Sequence, residues 1–314
     1  MSTTGSAPRV RVVVLGATGC LGRQICATLA QQGHDVVAVA RTFAPQVAEH
    51  RFLARDLGRM TGPEIGALLT EERAGAVVNA SGTWERSAEE LDYAHVTIPR
   101  LVTEGVAAAA GRPRLVHIGT IHEYGPVPPG TVIDERRDTR PETPYARAKL
   151  IGTRTVLEAA AAGRIDAVTL RVANVFGPFP SPKSFLGTLA ARLRTTGPGE
   201  TIELTLAPAH RDHVDTRDVA DAVGRAVRCR ADTSGQAVNI GRGEALDLRD
   251  LVYGMVAAAG LPPEAVKEGG TPLSSAGGGD WTSADVRRAR TLLGWSPLHT
   301  VEESLKAMLD LGGW

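Results

Sequence analysis

The sequence predicts an α/β fold, a doubly wound parallel sheet joined to a smaller and discontinuous C-terminal part. Short β-branched runs alternate with Ala-rich stretches of helical character, and a glycine-rich turn joins the first run to the first helix. A chain of 314 residues also buries a core of that size without disulfides.

Residues 10–15 (VRVVVL) read as the first strand, since β-branched side chains suit a pleated surface, and glycine follows at once. A helix over 21–32 comes next and stops at Gly33. A run at 36–39 closes a βαβ unit, and similar runs recur at 76–78, 115–118, 167–170 and 237–240, with helical stretches at 98–110 and 145–162. Strands this short and continuously apolar are buried on both faces, which implies a parallel sheet covered by helices. After Asn174 the texture changes, with Pro and Gly crowded into 177–183 and a helix candidate over 185–194. We therefore expect one domain over 1–173, to which 214–245 returns, with 219–227 and 237–240 rejoining the sheet. A second domain covers 174–213 and 246–314, and the glycine-rich stretch 268–280 predicts a mobile loop.

Charge is balanced, with 35 Lys plus Arg against 35 Asp plus Glu, so no basic field is available to hold a nucleic acid, and 4% aromatic residues offer few stacking platforms. No stretch reads as a signal peptide or a membrane span, so a cytoplasmic protein is expected. Cys20, Cys26 and Cys229 show neither metal-ligand spacing nor a redox pair; they read as free thiols, and no metal site is expected.

The turn Gly16-Ala17-Thr18-Gly19-Cys20-Leu21-Gly22 places three glycines at three-residue spacing between a strand and a helix, which marks the sheet as Rossmann-type. Glycine there permits the tight turn, admits a pyrophosphate to the backbone, and lets the helix pack on the strand, while the helix start offers N–H donors. A dinucleotide site selecting NAD usually ends its second strand in an acid. This one ends in Ala40-Arg41, where a cation suits the 2′-phosphate of NADP(H), unless Arg41 is simply solvated. Arg23 either helps or faces water. Asp56-Leu57 sits where an adenine edge would be read, and Asn79-Ala80-Ser81 ends another strand with small residues that admit a cofactor.

Tyr145 and Lys149 are four apart and share a helix face. An adjacent ammonium favours the phenolate and makes the hydroxyl a usable proton donor near neutrality. Thr120 follows the run 115–118 at the carboxyl edge, where open α/β sheets place ligands, and its hydroxyl can hold a carbonyl oxygen.

These motifs resemble the extended short-chain dehydrogenases/reductases of the nucleotide-sugar epimerase, dehydratase and reductase group, over nearly the whole chain. The resemblance rests on Gly16 to Gly22, Thr120 with Tyr124-Gly125, Tyr145 with Lys149, and Arg171-Val172-Ala173-Asn174 before Phe176-Gly177-Pro178. It continues through Arg211-Asp212-His213-Val214-Asp215, Asn239-Ile240-Gly241 and Leu293-Gly294-Trp295-Ser296-Pro297. It implies Thr120, Tyr145 and Lys149 as the catalytic group. It adds Thr18, Cys20, Leu21 and Val172 to the cofactor positions, with Tyr145 and Lys149 touching cofactor as well. Thr83, Thr120, His122, Tyr145, Asn174 and Arg211 are implied for substrate. Arg211 either holds a diphosphate or pairs with Asp212 or Asp215, and His122 and Trp84 either line the sugar pocket or pack.

Dehydratases of the group carry an Asp-Glu pair after the threonine where this chain has Ile121-His122, so dehydration is disfavoured. The resemblance implies a homodimer, paired through the helices at 98–110 and 145–162, that reduces a nucleotide-linked 4-keto-6-deoxyhexose in deoxysugar biosynthesis for secondary metabolites. An NAD-dependent nucleotide-sugar 4-epimerase is the alternative, and a noncatalytic NADP-sensing protein is the alternative of another class. Two departures stand out. His95 replaces an asparagine common in the group, and the stretch near Ser275 lacks a second diphosphate arginine.

Overall fold

The structure, a computed structural model, describes residues 9–83, 85, 87–197, 199–229, 233–269 and 279–310. In chain order the strands are β1 (Arg11–Leu15), β2 (Asp35–Ala40), β3 (Arg51–Ala54), β4 (Ala76–Asn79), β5 (Arg114–Thr120), β6 (Ala167–Val172) and β7 (Asn174–Phe176). They continue with β8 (Ile202–Leu204), β9 (His210–Asp215), β10 (Gln236–Ile240), β11 (Ala245–Asp247), β12 (Val266–Glu268) and β13 (Trp281–Thr282). The helices are α1 (Cys20–Gln31), α2 (Gly62–Glu71), α3 (Ala88–Asp92), α4 (Ile98–Ala108) and α5 (Pro144–Ala161). After them come α6 (Phe185–Thr195), α7 (Thr216–Arg228), α8 (Leu248–Ala258), α9 (Arg287–Leu293) and α10 (Val301–Asp310).

Seven strands form one all-parallel sheet in the order β10-β6-β5-β4-β1-β2-β3. This is the Rossmann-type fold, and its order reverses between β1 and β4, the switch point at which such sheets bind ligands. The period-two alternation of strand side chains sends Val12 and Val14 to one core and Val13 and Leu15 to the other. The first core takes Ile25 and Leu29 of α1 and Val219 and Val223 of α7; the second takes Ile65 of α2, Val102 of α4 and Val156 of α5. Each such fully buried side chain stabilises the fold by roughly 1.5–3 kcal/mol. Trp295 is also buried in the first core, its indole N–H donating to Asp218 O at 2.9 Å.

Residues 219–227 do not rejoin the sheet as expected. They lie in α7, because Val219, Val223 and Val227 recur every four residues and present one apolar face to the strands. The strand that returns is β10, beside β6. Beyond the main sheet, β9 pairs with β7, β11 and β13, and β8 pairs with β12. A third core gathers Phe176, Leu186, Leu189, Met255 and Leu305 from β7, α6, α8 and α10. The candidate loop at 268–280 falls largely outside the described residues. No helix among the described residues is long and apolar enough to cross a membrane.

Candidate active site

The glycine turn is shaped by contacts that no side chain would allow. Gly16 sits at φ +78°, and a Cβ there would lie 2.7 Å from the Ser81 backbone, so the ends of β1 and β4 touch. A Cβ on Gly22 would lie 2.1 Å from Gly16 O. Gly19 caps α1 without a side-chain hydrogen bond, so the first N–H groups of the helix have no side-chain acceptor. Backbone N–H donors, a positive dipole end and the absence of side chains are what a pyrophosphate requires, and the loop fits a dinucleotide. Thr18 and Leu21 are half-buried. Arg23 donates from Nε to Thr18 O at 2.7 Å and so braces the loop. Cys20 is an inert thiol, pushed up to about 11 by burial.

At the next strand ends, Arg41 is exposed just past β2, and the Arg55 N–H donates to Ala40 O at 2.9 Å, so two arginines leave adjacent strands. Arg55 was not foreseen; it follows an edge strand too short to stand out. The Asp56 carboxylate accepts the Tyr93 hydroxyl and lies 3.5 Å from Arg59, and Leu57 is buried. Asn79 is buried, its Oδ1 accepting from the Ser81 N–H at 3.2 Å and the Ser81 hydroxyl at 2.5 Å, which fixes the bend at Ala80. Val172 is buried at the end of β6. Thr83 is half-buried and accepts the Glu85 N–H at 3.0 Å, and Trp84 and the stretch around Ser275 lie outside the described residues.

Thr143 caps α5, accepting the Ala146 N–H at 3.2 Å, and Pro144 occupies its first turn. That start sets the register in which Tyr145 and Lys149 lie one turn apart. The Tyr145 hydroxyl lies beside Thr120 at the end of β5. Lys149 is buried and donates from Nζ to Ile118 O at 2.7 Å. The three expected residues therefore come together at the carboxyl edge. His95 stands edge-on to the Tyr145 ring, with centroids 5.2 Å apart, on a π-helical turn over Tyr93–Thr97.

The electrostatics differ from the sequence expectation in one respect. The Tyr145 phenol is pushed up to about 12, by burial first and then by the Glu123 carboxylate, against a lowering hydrogen bond from Thr120. Burial holds the Lys149 amine down to about 8 while Glu123 supports its charge. The ammonium is directed at a backbone carbonyl, so the phenol keeps its proton near neutrality instead of being drawn toward phenolate.

Substrate candidates gather on β7, β9 and the turn after β5. His122 Nε2 lies 3.3 Å from Asn174 Oδ1, and Asn174 Nδ2 donates to Asp212 O at 3.0 Å. Arg211 donates to Gly279 O at 3.0 Å and pairs with neither aspartate: Asp212 accepts the N–H groups of Arg242, Gly243 and Ala284, and Asp215 holds Arg217. Arg211 Nε and His122 Nδ1 have no hydrogen-bond partner among the described residues. His213, quoted only within a motif, belongs here too; its Nδ1 lies 2.9 Å from Arg211 O, and its ring tilts over Phe176 at 5.8 Å. Burial lowers both imidazoles to about 4.

A parallel sheet with a glycine turn at its switch point and a Thr-Tyr-Lys group beside it defines an enzyme of the short-chain dehydrogenase/reductase class. The match to the NAD dependent epimerase/dehydratase family covers residues 12–241, and the chain belongs to that family. It is 39% identical to the dTDP-6-deoxy-L-talose 4-dehydrogenase (NAD(P)(+)) of Kitasatospora kifunensis, over 98% of this chain and 97% of the relative. It is 26% identical to the UDP-glucose 4-epimerase of Mycolicibacterium smegmatis, over 96% and 98%. Among solved structures it resembles MoeE5 in complex with UDP-glucose and NAD, with a TM-score of 0.81 and 26% identity over 96% of this chain and 97% of that one.

Proposed function

We propose that the chain is an NADPH-dependent reductase of the C4 keto group of a nucleoside-diphosphate 4-keto-6-deoxyhexose, with dTDP as the nucleotide. The observation that carries this reading is the meeting of Thr120 at the end of β5 with Tyr145 and Lys149 of α5 at the carboxyl edge, where Lys149 is fixed on Ile118 O. A relative matched over nearly its whole length, whose name joins a dTDP-6-deoxyhexose, position 4 and NAD(P), supports the substrate class and the reaction.

When bound, the dinucleotide supplies hydride to the carbonyl carbon. Gly16, Gly19 and Gly22 admit its pyrophosphate, and Arg41 and Arg55 supply cations for a 2′-phosphate. Lys149 has two ammonium hydrogens left for a ribose hydroxyl after its bond to Ile118 O. Thr120 donates to the carbonyl oxygen, and Tyr145 gives that oxygen its hydroxyl proton as charge develops. Hydride and proton together turn ketone into alcohol. Arg211, with Nε open among the described residues, and the His122–Asn174 pair suit a diphosphate and a sugar hydroxyl.

The test is a product-resolved assay of NADPH oxidation across several nucleotide-linked 4-keto-6-deoxysugars. Tyr145→Phe is expected to lower turnover by roughly 10²–10⁴-fold with cofactor binding intact. The 26% identical 4-epimerase favours a second reading. NAD that stays bound, with C4 scrambled and no net redox change, would establish it, whereas NADPH binding without turnover of any keto-sugar would point to a sensor.

A further inference from the structure

Glu123 is fully buried beneath the catalytic group and has no part in the mechanism above. Its Oε1 accepts the Thr120 N–H at 3.0 Å and the Thr153 hydroxyl at 2.8 Å, and its Oε2 accepts Arg171 Nε at 2.8 Å. Thr153 follows Lys149 by one helical turn, so one carboxylate ties the end of β5, the reactive face of α5 and β6 to each other. Gly119 leaves room for it, since a Cβ there would lie 2.7 Å from Oε1. Arg171 in turn donates to the Tyr124 hydroxyl at 2.9 Å, and that hydroxyl donates to Asn239 Oδ1 at 2.9 Å, so the carboxylate heads a buried chain of hydrogen bonds.

We propose that Glu123 is the positioning residue of this active site: it tethers Thr120 and the Tyr145–Lys149 helix face to one point and supplies the negative charge that keeps both of their protons in place. The proposal rests on Tyr145 and Lys149 being the reacting pair. Tyr145 faces Thr120 from β5, Glu123 from the turn after it, His95 from the π-helical turn, and Lys149 on its own helix. Near Lys149 stand Ile118 O, Glu123 and the rings of His95 and His117, both of which burial keeps neutral near pH 7. Glu123 is thus the negative group of this set, and it raises both Tyr145 and Lys149. Deleting its charge lowers both, and an unpaired Arg171 acts in the same direction.

The experiment is the pH profile of kcat for Glu123→Gln and Glu123→Asp. The Gln variant is expected to move the whole profile toward acid by about one pH unit, and the Asp variant, which keeps the charge, to stay near wild type. Thr153→Val, which cuts a tether and keeps the charge, should lower kcat without moving the profile. Loss of activity in the Gln variant with an unmoved profile would reduce Glu123 to a structural residue and overturn the proposal. Should Glu123→Gln not fold, Glu123→Gln/Arg171→Met removes both charges together and leaves no buried ion alone; its profile is expected to move toward acid by less than that of the single variant, and an unmoved profile overturns the proposal. If wild type reduces no keto-sugar, the function above fails, and the Tyr145 phenolate titration still decides this point. It is read as the ultraviolet difference between wild type and Tyr145→Phe, with and without Glu123→Gln, and an unmoved titration overturns the proposal.

Discussion

The strand ends that carry the glycine turn and the strand pair that carries Arg211 are built by opposite means. In the first, side chains are excluded: Gly16 lies against the Ser81 backbone, Gly22 against Gly16 O, and α1 begins without a capping side chain. In the second, side chains do the holding: His122, Asn174, Arg211 and His213 interlock, and Arg211 Nε and His122 Nδ1 are left open among the described residues. A cradle made of backbone is fixed by steric exclusion and tolerates no added atom. A set made of side chains is fixed by charge and hydrogen bonding, and it can be retuned one residue at a time.

Three substitutions separate the two designs. The largest effect is expected from Gly22→Val, because a side chain cannot occupy space 2.1 Å from a carbonyl oxygen. Overpacking of about 3 kcal/mol corresponds to roughly a hundredfold loss of NADPH affinity by fluorescence titration, and retained affinity would refute the steric account. Arg211→Ala should raise KM for the nucleotide sugar by about tenfold to thirtyfold, from a lost hydrogen bond to a charged group, while kcat holds. A fall in kcat alone would move Arg211 from holding substrate to the reaction itself. The smallest change should come from Arg41→Ala: an exposed cation, screened by water, gives about a fivefold weakening of NADPH with NADH unaffected. Equal losses for the two cofactors would remove its role at the 2′-phosphate.

The same contrast governs what could be read in the sequence. Glycine spacing is a local signal, and the turn, α1 and the strand at 36–39 within β2 lie where the pattern placed them. The helix read at 145–162 is α5 at Pro144–Ala161, because Pro144 and the Thr143 cap mark its start. β3 was missed: it has four residues at the sheet edge, none of them buried, so it lacks the apolar run that marks the central strands. The short strands β7, β9, β11 and β13 were missed as well, since each is stabilised by partners distant in sequence. His213 and Arg55 went unseen as candidates for that reason, being placed by strand pairing and not by spacing. Glu123 did leave a local trace, the Thr120-x-x-Glu123 spacing of a capping box, which closes over a single 3₁₀ turn. The acidity of Tyr145 was misjudged because burial and Glu123 are tertiary facts, whereas Lys149 is a neighbour visible in the sequence.

Trp295 belongs to the last stretch of the chain, yet it fills the same core as Val12 and Val14 of the first strand. The face of the sheet that α1 covers from its own neighbourhood is therefore completed only by a segment far along the sequence. Closure by a segment so remote makes the contact order high and folding slow, and it leaves exposed strands open to association for that interval. β1 and Trp295 thus act as two halves of one clasp, which fastens only when both segments are present.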